Sequence, residues 1–346
     1  MSDGALSSPS VFATVVVTAF GRREFLGQAV RSVRCQTLPS REIELLLVTD
    51  LADPDLGEPD PEESVRVLRP KSTRMGEWVA EAAREARGEV LFLLDDDDLF
   101  FPGKLERIRA AFRADPRIGY YRHGLRTFWG EDGPRDFGPE PAGDFEDHKR
   151  WVTAGPRSDA RALARAWWAE GAGVPSAIGV RREVVTRFED RLRRIQIGVG
   201  PLLFYAAALD GWRLVVDPAR LGGRRLHSHN TSGAGSEDAG TRWARQLAVA
   251  DRALRDASEV RQLLRDSTTA REFGAPLEAM VARVGLLRAA VSSEPTRVEV
   301  LRRILAVVRT TGLGQLASAA PYVGMGGLRS LSARPVRRLL GPDTAG

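Results

Sequence analysis

The chain has 346 residues, 43% of them hydrophobic and 28% charged, with a formal net charge of +5. This balance excludes a disordered chain and leaves length for more than one domain. A single cysteine, Cys35, rules out an intrachain disulfide framework or a Cys-based zinc site, and no apolar run reaches the roughly 18 residues of a membrane span.

The first ten residues, MSDGALSSPS, lack the basic and apolar regions of a secretion signal; a flexible N-terminus and a cytoplasmic location are expected. Residues 11–18, VFATVVVT, form a β-branched run typical of a strand buried on both faces. An amphipathic helix follows over 23–36, with Phe25, Leu26, Ala29, Val30 and Val33 on one stripe. Further strands are predicted at 43–48, 65–68 and 89–94, with an alanine-rich helix over 75–87 between the last two. Strands alternating with helices imply an α/β domain with a mostly parallel sheet.

The strand at 89–94 runs directly into Asp95, Asp96, Asp97 and Asp98, four carboxylates with no basic residue among them. At about 4 Å, like charges repel by roughly 4 kcal/mol near a protein surface, so the cluster requires bulk water, protonation or a cation. In open α/β sheets, ligands collect at the carboxyl ends of the strands. In an extended segment Asp95 and Asp97 would face the same side and offer oxygens to one hard cation, Mg2+ or Mn2+, together with a ligand phosphate. The alternative is a solvated turn whose last member, Asp98, caps a helix opening at Pro102 and running to about Phe112.

Downstream, a strand is expected at 119–128 and a Gly-, Pro- and acid-rich loop at 130–149. Apolar runs return at 177–180, 201–209 and 212–216, and from Arg242 the pattern turns helical, with stretches at 277–290 and 298–308. No Walker A loop precedes the acidic strand, no G-x-S-x-G elbow occurs, and the glycine run at Gly324 and Gly326 has Arg329 where a Rossmann fingerprint needs its third glycine.

The segments VFATVVVTAFGRREFLGQAVRSVRCQT, LLLVTD and ARGEVLFLLDDDDLFFPGKL together resemble the N-terminal half of the family 2 glycosyltransferases of the inverting GT-A type. The resemblance implies a GT-A-type nucleotide-sugar-binding fold over residues 11–235, followed by an α-helical region over 241–346. It implies Asp50 as a contact to the nucleotide base, Asp95 to ribose or sugar, and Asp97 as the ligand of Mn2+ or Mg2+. His227, in HSHNTS, matches a family His-x-x-Asn-x-Ser pattern whose histidine reaches the metal or diphosphate; a purely structural loop histidine is the alternative. Asp96 and Lys71 are further candidate contacts to the nucleotide-sugar, with Arg69 beside Lys71.

Two departures stand out. The family's usual acidic pair, about eleven residues before a Gly-aromatic pair, falls here on Val199 and Gly200, leaving Asp190 as the candidate general base. The asparagine that usually ends the first strand is also missing from Ala19-Phe20-Gly21-Arg22. The expected partners are a nucleotide-sugar donor and a glycan or lipid-linked acceptor, without nucleic acid and with homo-oligomerisation left open. A catalytically impaired nucleotide-binding or scaffold protein of the same fold is the alternative reading. Arginines scattered over 302–338 would suit peripheral contact with an anionic membrane, or packing against the domain or a second copy. Trp151, Trp167 and Trp168 would stack on sugar or fill a core.

Overall fold

The structure, a computed structural model, describes residues 11–284 except 23, 53, 55–64, 131–150, most of 154–172, 228–229, 231–238, 267–273 and scattered positions from 275 onward. Residues 131–149 of the loop predicted at 130–149, the helix at 298–308, the arginine-rich tail, His229 and the side chains of Trp151 and Trp168 lie outside the described residues.

Strand β1 (Ala13–Ala19) lies between β2 (Ile43–Thr49) and β4 (Val90–Asp95), parallel to both, and β3 (Arg66–Leu68) adds in parallel to β2. Beyond β4, strand β8 (Ile178–Arg181) runs antiparallel and joins β6 (Ile118–Trp129). Long β9 (Arg213–Leu226) pairs in parallel with β6 and carries β5 (Leu99–Phe100) and β7 (Trp151–Thr153) in antiparallel. The sheet order among the described residues is therefore 3-2-1-4-8-6-9-5, with β7 alongside β9.

The apolar character of the first strands follows from their place in the sandwich. Val15 and Val17 pack on the side of helices α1 (Leu26–Arg34) and α3 (Lys104–Ala114), whereas Val16 packs with Trp78 of α2 (Met75–Glu85) on the opposite face. Both faces are covered, so the strand alternates without a polar side. That second face is completed by α4 (Arg182–Arg187), α5 (Glu189–Leu192), α6 (Val199–Leu209) and α7 (Ala239–Arg265). Trp167 is buried there against Phe204 and Tyr205, so it fills the core.

The run at 199–209 forms α6, whose residues from Leu202 to Ala208 are buried all round. Helix α7 shares its core: Ala257, Val260, Leu263 and Leu264 join the same apolar cluster as α6 and the sheet. No helix among the described residues is long and apolar enough to cross a membrane.

Candidate active site

Because β1, β2 and β4 are parallel and in register, the residues that follow them leave the sheet at one edge. Ala19 pairs with Thr49, and Thr18 with Asp95. Asp50, Arg22 and the aspartate run therefore converge although they lie far apart in the chain.

Asp50 follows β2 and accepts a hydrogen bond at 2.9 Å from the backbone N–H of Gly21, which has φ of +67°. This positive φ suits glycine and fixes the turn from β1 toward α1. Phe20, just before it, is 47% exposed and leans on Trp78 with ring centroids 5.1 Å apart. Arg69 donates to the carbonyls of Leu51 and Ala52, so it holds the chain that follows Asp50. Lys71 is exposed in the segment leading to α2.

The four aspartates do not continue the strand. Asp98 N–H bonds to the Asp95 carbonyl at 3.1 Å, which closes a tight turn immediately after β4. The extended geometry expected for Asp95 and Asp97 is thus replaced by a turn, and the two still meet: oxygens of Asp95, Asp97 and Asp98 all lie within 4.8 Å of one another. Such a set of hard oxygen donors fits Mg2+ or Mn2+. Asp98 is not the cap of α3: the N-cap position is Gly103, and the Leu105 N–H in the first turn is taken by Gln36 Oε1 at 3.0 Å. Asp98 Oδ1 instead accepts the N–H of Arg225 on β9 at 3.0 Å, a tertiary contact that outcompetes the local one.

Bulk water does not relieve the crowding, because Asp96, Asp97 and Asp98 are buried. Burial, then the charges of Asp98, Asp97 and Asp96, pushes the Asp95 carboxyl well above the usual carboxylate range, with a bond from Thr18 Oγ1 at 3.3 Å opposing. Asp98 is pushed up to about 7 by burial and by Asp97. Burial also raises Asp96, opposed by Arg22. The Arg22 guanidinium bridges two of the acids: Nη2 lies 2.9 Å from Asp96 Oδ1 and 2.6 Å from Asp97 Oδ2.

Asp97 Oδ2 is the hub of the cluster. His227 Nε2 lies 3.0 Å from it and Asn230 Nδ2 donates to it at 3.3 Å, while Asn230 Oδ1 accepts the backbone N–H of His227 at 2.6 Å. Below the turn, the fully buried Arg225 donates from Nε to the Asp97 carbonyl at 3.0 Å and from Nη2 to Gln28 Oε1 at 2.6 Å. Its guanidinium also stacks between Phe25 and Phe128. Lys104 donates to the Ser176 carbonyl at 2.9 Å, and Ser176 Oγ accepts the N–H of Asp95 at 3.1 Å. Burial drives the Lys104 amine well below its ordinary value, with the Asp98 charge opposing.

The structure thus brings together Asp95, Asp96, Asp97 and His227 among the sequence candidates, with Asp50 on the neighbouring turn. Asp190 stands apart. It is exposed on α5, and the adjacent Glu189 pairs with Arg84 in the last turn of α2. That turn leads into the start of β4, about 20 Å of strand away from the aspartates at its end. At the position where the acidic pair was sought, Val199 and Gly200 open α6, and both are buried. Arg22, Asn230 and Arg225 are the site residues that sequence reasoning did not assign. Asn230 had a usable signal, its place three residues after His227.

This arrangement, an acidic turn at the carboxyl edge of a curled, mostly parallel sheet with helices on both faces, defines a GT-A fold. The mannosyltransferase PcManGT from Pyrobaculum calidifontis, solved with GDP-Man and Mn2+, superposes with a TM-score of 0.54 at 16% identity, over 94% of this chain and 82% of that one. S. aureus TarS 1–349, solved with UDP-GlcNAc, gives a TM-score of 0.48 at 13% identity over 89% and 92%. Residues 14–168, the span that carries Asp50 and the aspartate turn, match the family model for glycosyl transferase family 2. No curated protein matches the chain in sequence.

Proposed function

We propose that the protein is a glycosyltransferase that takes a sugar from a nucleotide-sugar donor with the help of Mn2+ or Mg2+. The observation that carries this reading is the set of Asp95, Asp97 and Asp98 oxygens within 4.8 Å, at the strand edge of the span that matches the family 2 model. Asp97, with Asp95 or Asp98 beside it, would hold the cation, and His227 stands at hydrogen-bond distance as a further ligand. When bound, the cation supplies charge neutralisation for the departing nucleoside diphosphate.

The chain's own residues supply position. Arg225 and Ser176 fix the turn from below through backbone bonds to Asp97 and Asp95. Asn230 orients His227 against Asp97. Phe20 and Asp50, on adjacent turns, form an aromatic face and a carboxylate suited to a nucleobase. Lys71 is proposed as an outer contact to the diphosphate, and the transfer is proposed to invert the anomeric centre, as the family resemblance implies.

A thermal-shift panel of UDP, GDP, ADP and CDP, each with and without Mn2+, tests this reading. One nucleotide should raise the melting temperature with Mn2+ and do so less in its absence. No shift with any nucleoside diphosphate under either condition would refute it.

A further inference from the structure

Arg22 occupies the atoms that a cation at Asp97 and His227 would need. Its Nη2 spans Asp96 Oδ1 and Asp97 Oδ2, its Nε lies 3.3 Å from Asp96 Oδ2, and its Nη1 lies 3.1 Å from His227 Nε2. Asp97 Oδ2 already receives Arg22, His227 and Asn230. Nε2 of a neutral His227 either carries a proton toward Asp97 or turns its lone pair to the guanidinium, and neither arrangement leaves that lone pair for a metal while Arg22 is in place. Arginine does not lose its charge, so a divalent ion placed here would also be repelled by it. The guanidinium and the ion therefore exclude each other at these atoms.

The same residue is placed to leave. It sits on the turn after β1, directly behind Gly21, and its side chain is 23% exposed. The N–H of Gly21 is bonded to Asp50, so the turn carrying Arg22 is the one that faces the proposed nucleotide side. A displaced guanidinium needs a new anion, and a diphosphate is one it can grip with two parallel bonds.

We propose that Arg22 is a resident counter-cation of the acidic turn that gives way to the divalent ion and passes to the donor's diphosphate, so that ion and nucleotide bind cooperatively. This rests on the glycosyltransferase reading of the site and adds a residue and a binding order to it. With Arg22 in place, the ion alone binds weakly. The diphosphate supplies the partner that lets Arg22 go, and by linkage each ligand raises the affinity for the other by the same factor.

The test is Mn2+ titration by electron paramagnetic resonance on the wild type, R22Q and R22K, alone and with the nucleoside diphosphate that gives the largest thermal shift, with nucleotide–Mn2+ association measured separately. R22Q should bind Mn2+ alone about tenfold or more tightly than the wild type, and the nucleotide's enhancement of Mn2+ affinity should shrink by a similar factor. R22K, which keeps a charge but not the fork, should fall between them. If R22Q does not fold, R22K carries the test on its own. Equal or weaker Mn2+ binding in the folded variants overturns the exchange while leaving the cation site standing. Nucleotide binding with no Mn2+ binding in any of the proteins overturns the exchange and the metal half of the proposed function together. Absence of both ligands from every protein removes the glycosyltransferase reading itself.

Discussion

Helix α6 has no side-chain cap of its own. Its N-terminal neighbour is Gly198, and the amides ahead of it are served from a distant helix. Asp256 of α7, 5% exposed, accepts backbone N–H bonds from Gln196 at 2.6 Å, Ile197 at 3.0 Å and Gly198 at 2.9 Å. A carboxylate here satisfies the N–H of the N-cap residue and of the two residues before it, and adds charge at the positive end of the helix dipole. An ordinary cap is worth about 1 kcal/mol, but three buried bonds to a charged acceptor, at roughly 1.5–3 kcal/mol each before desolvation, make the loss larger. Asp256→Ala should therefore cost about 3–5 kcal/mol, and Asp256→Asn about 2–3 kcal/mol, because one amide oxygen remains while the amide NH2 faces other donors. Equilibrium denaturation in urea, followed by circular dichroism, measures both. A change within about 1 kcal/mol for the alanine variant would refute the claim that α7 locks the start of α6.

A Cβ at Gly76 would lie 1.8 Å from the Leu192 carbonyl oxygen, so Gly76→Ala should lower stability by about 3 kcal/mol or more. Gly103→Ala, which meets nothing within 4 Å, should stay within about 0.5 kcal/mol; thermal melts of the two separate a backbone clash from a generic glycine effect. Asp98, pushed up to about 7, binds more protons folded than unfolded between its ordinary 3.8 and that value, so its stabilising protonation is complete below 3.8 and is lost as pH rises to 7. Without divalent ions, Asp98→Asn should gain on the wild type across this window, by on the order of 4 kcal/mol at most. Burial of neutral His123 works in the opposite direction below about 6.5, and the subtraction cancels it; a wild-type advantage growing with pH would contradict the assignment. Phe20→Ala should weaken nucleotide binding by about 1–3 kcal/mol in calorimetry with little loss of stability, whereas unchanged affinity would remove Phe20 from the site.

Much of the architecture was legible because burial on both faces leaves an unbroken apolar run, as in β1, β2 and β4. The same logic hid α6: a helix buried all round has no polar stripe, so its run of apolar residues carries no 3.6-residue period. The acidic turn was legible as a site because its carboxylates follow a buried strand. Its geometry was not, since the Asp98–Asp95 backbone bond curls the chain where alternation assumes an extended one. Arg22 and Arg225 were illegible for a different reason. Arg22 reaches Asp97 across 75 positions and Arg225 reaches it across 128, and a sequence holds the residue types without the distance. The same holds for Asp98, whose role as a cap was a local guess displaced by a bond from β9.

The most direct measurement is diffraction from crystals soaked with Mn2+ and the nucleoside diphosphate that stabilises the protein, collected at the manganese edge. The account predicts an anomalous peak on the Asp97 carboxylate beside Asp95 or Asp98, the nucleotide over Phe20 and Asp50, and Arg22 turned away from Asp97. A bound nucleotide with no peak there, and Arg22 still bridging Asp96 and Asp97, would contradict it.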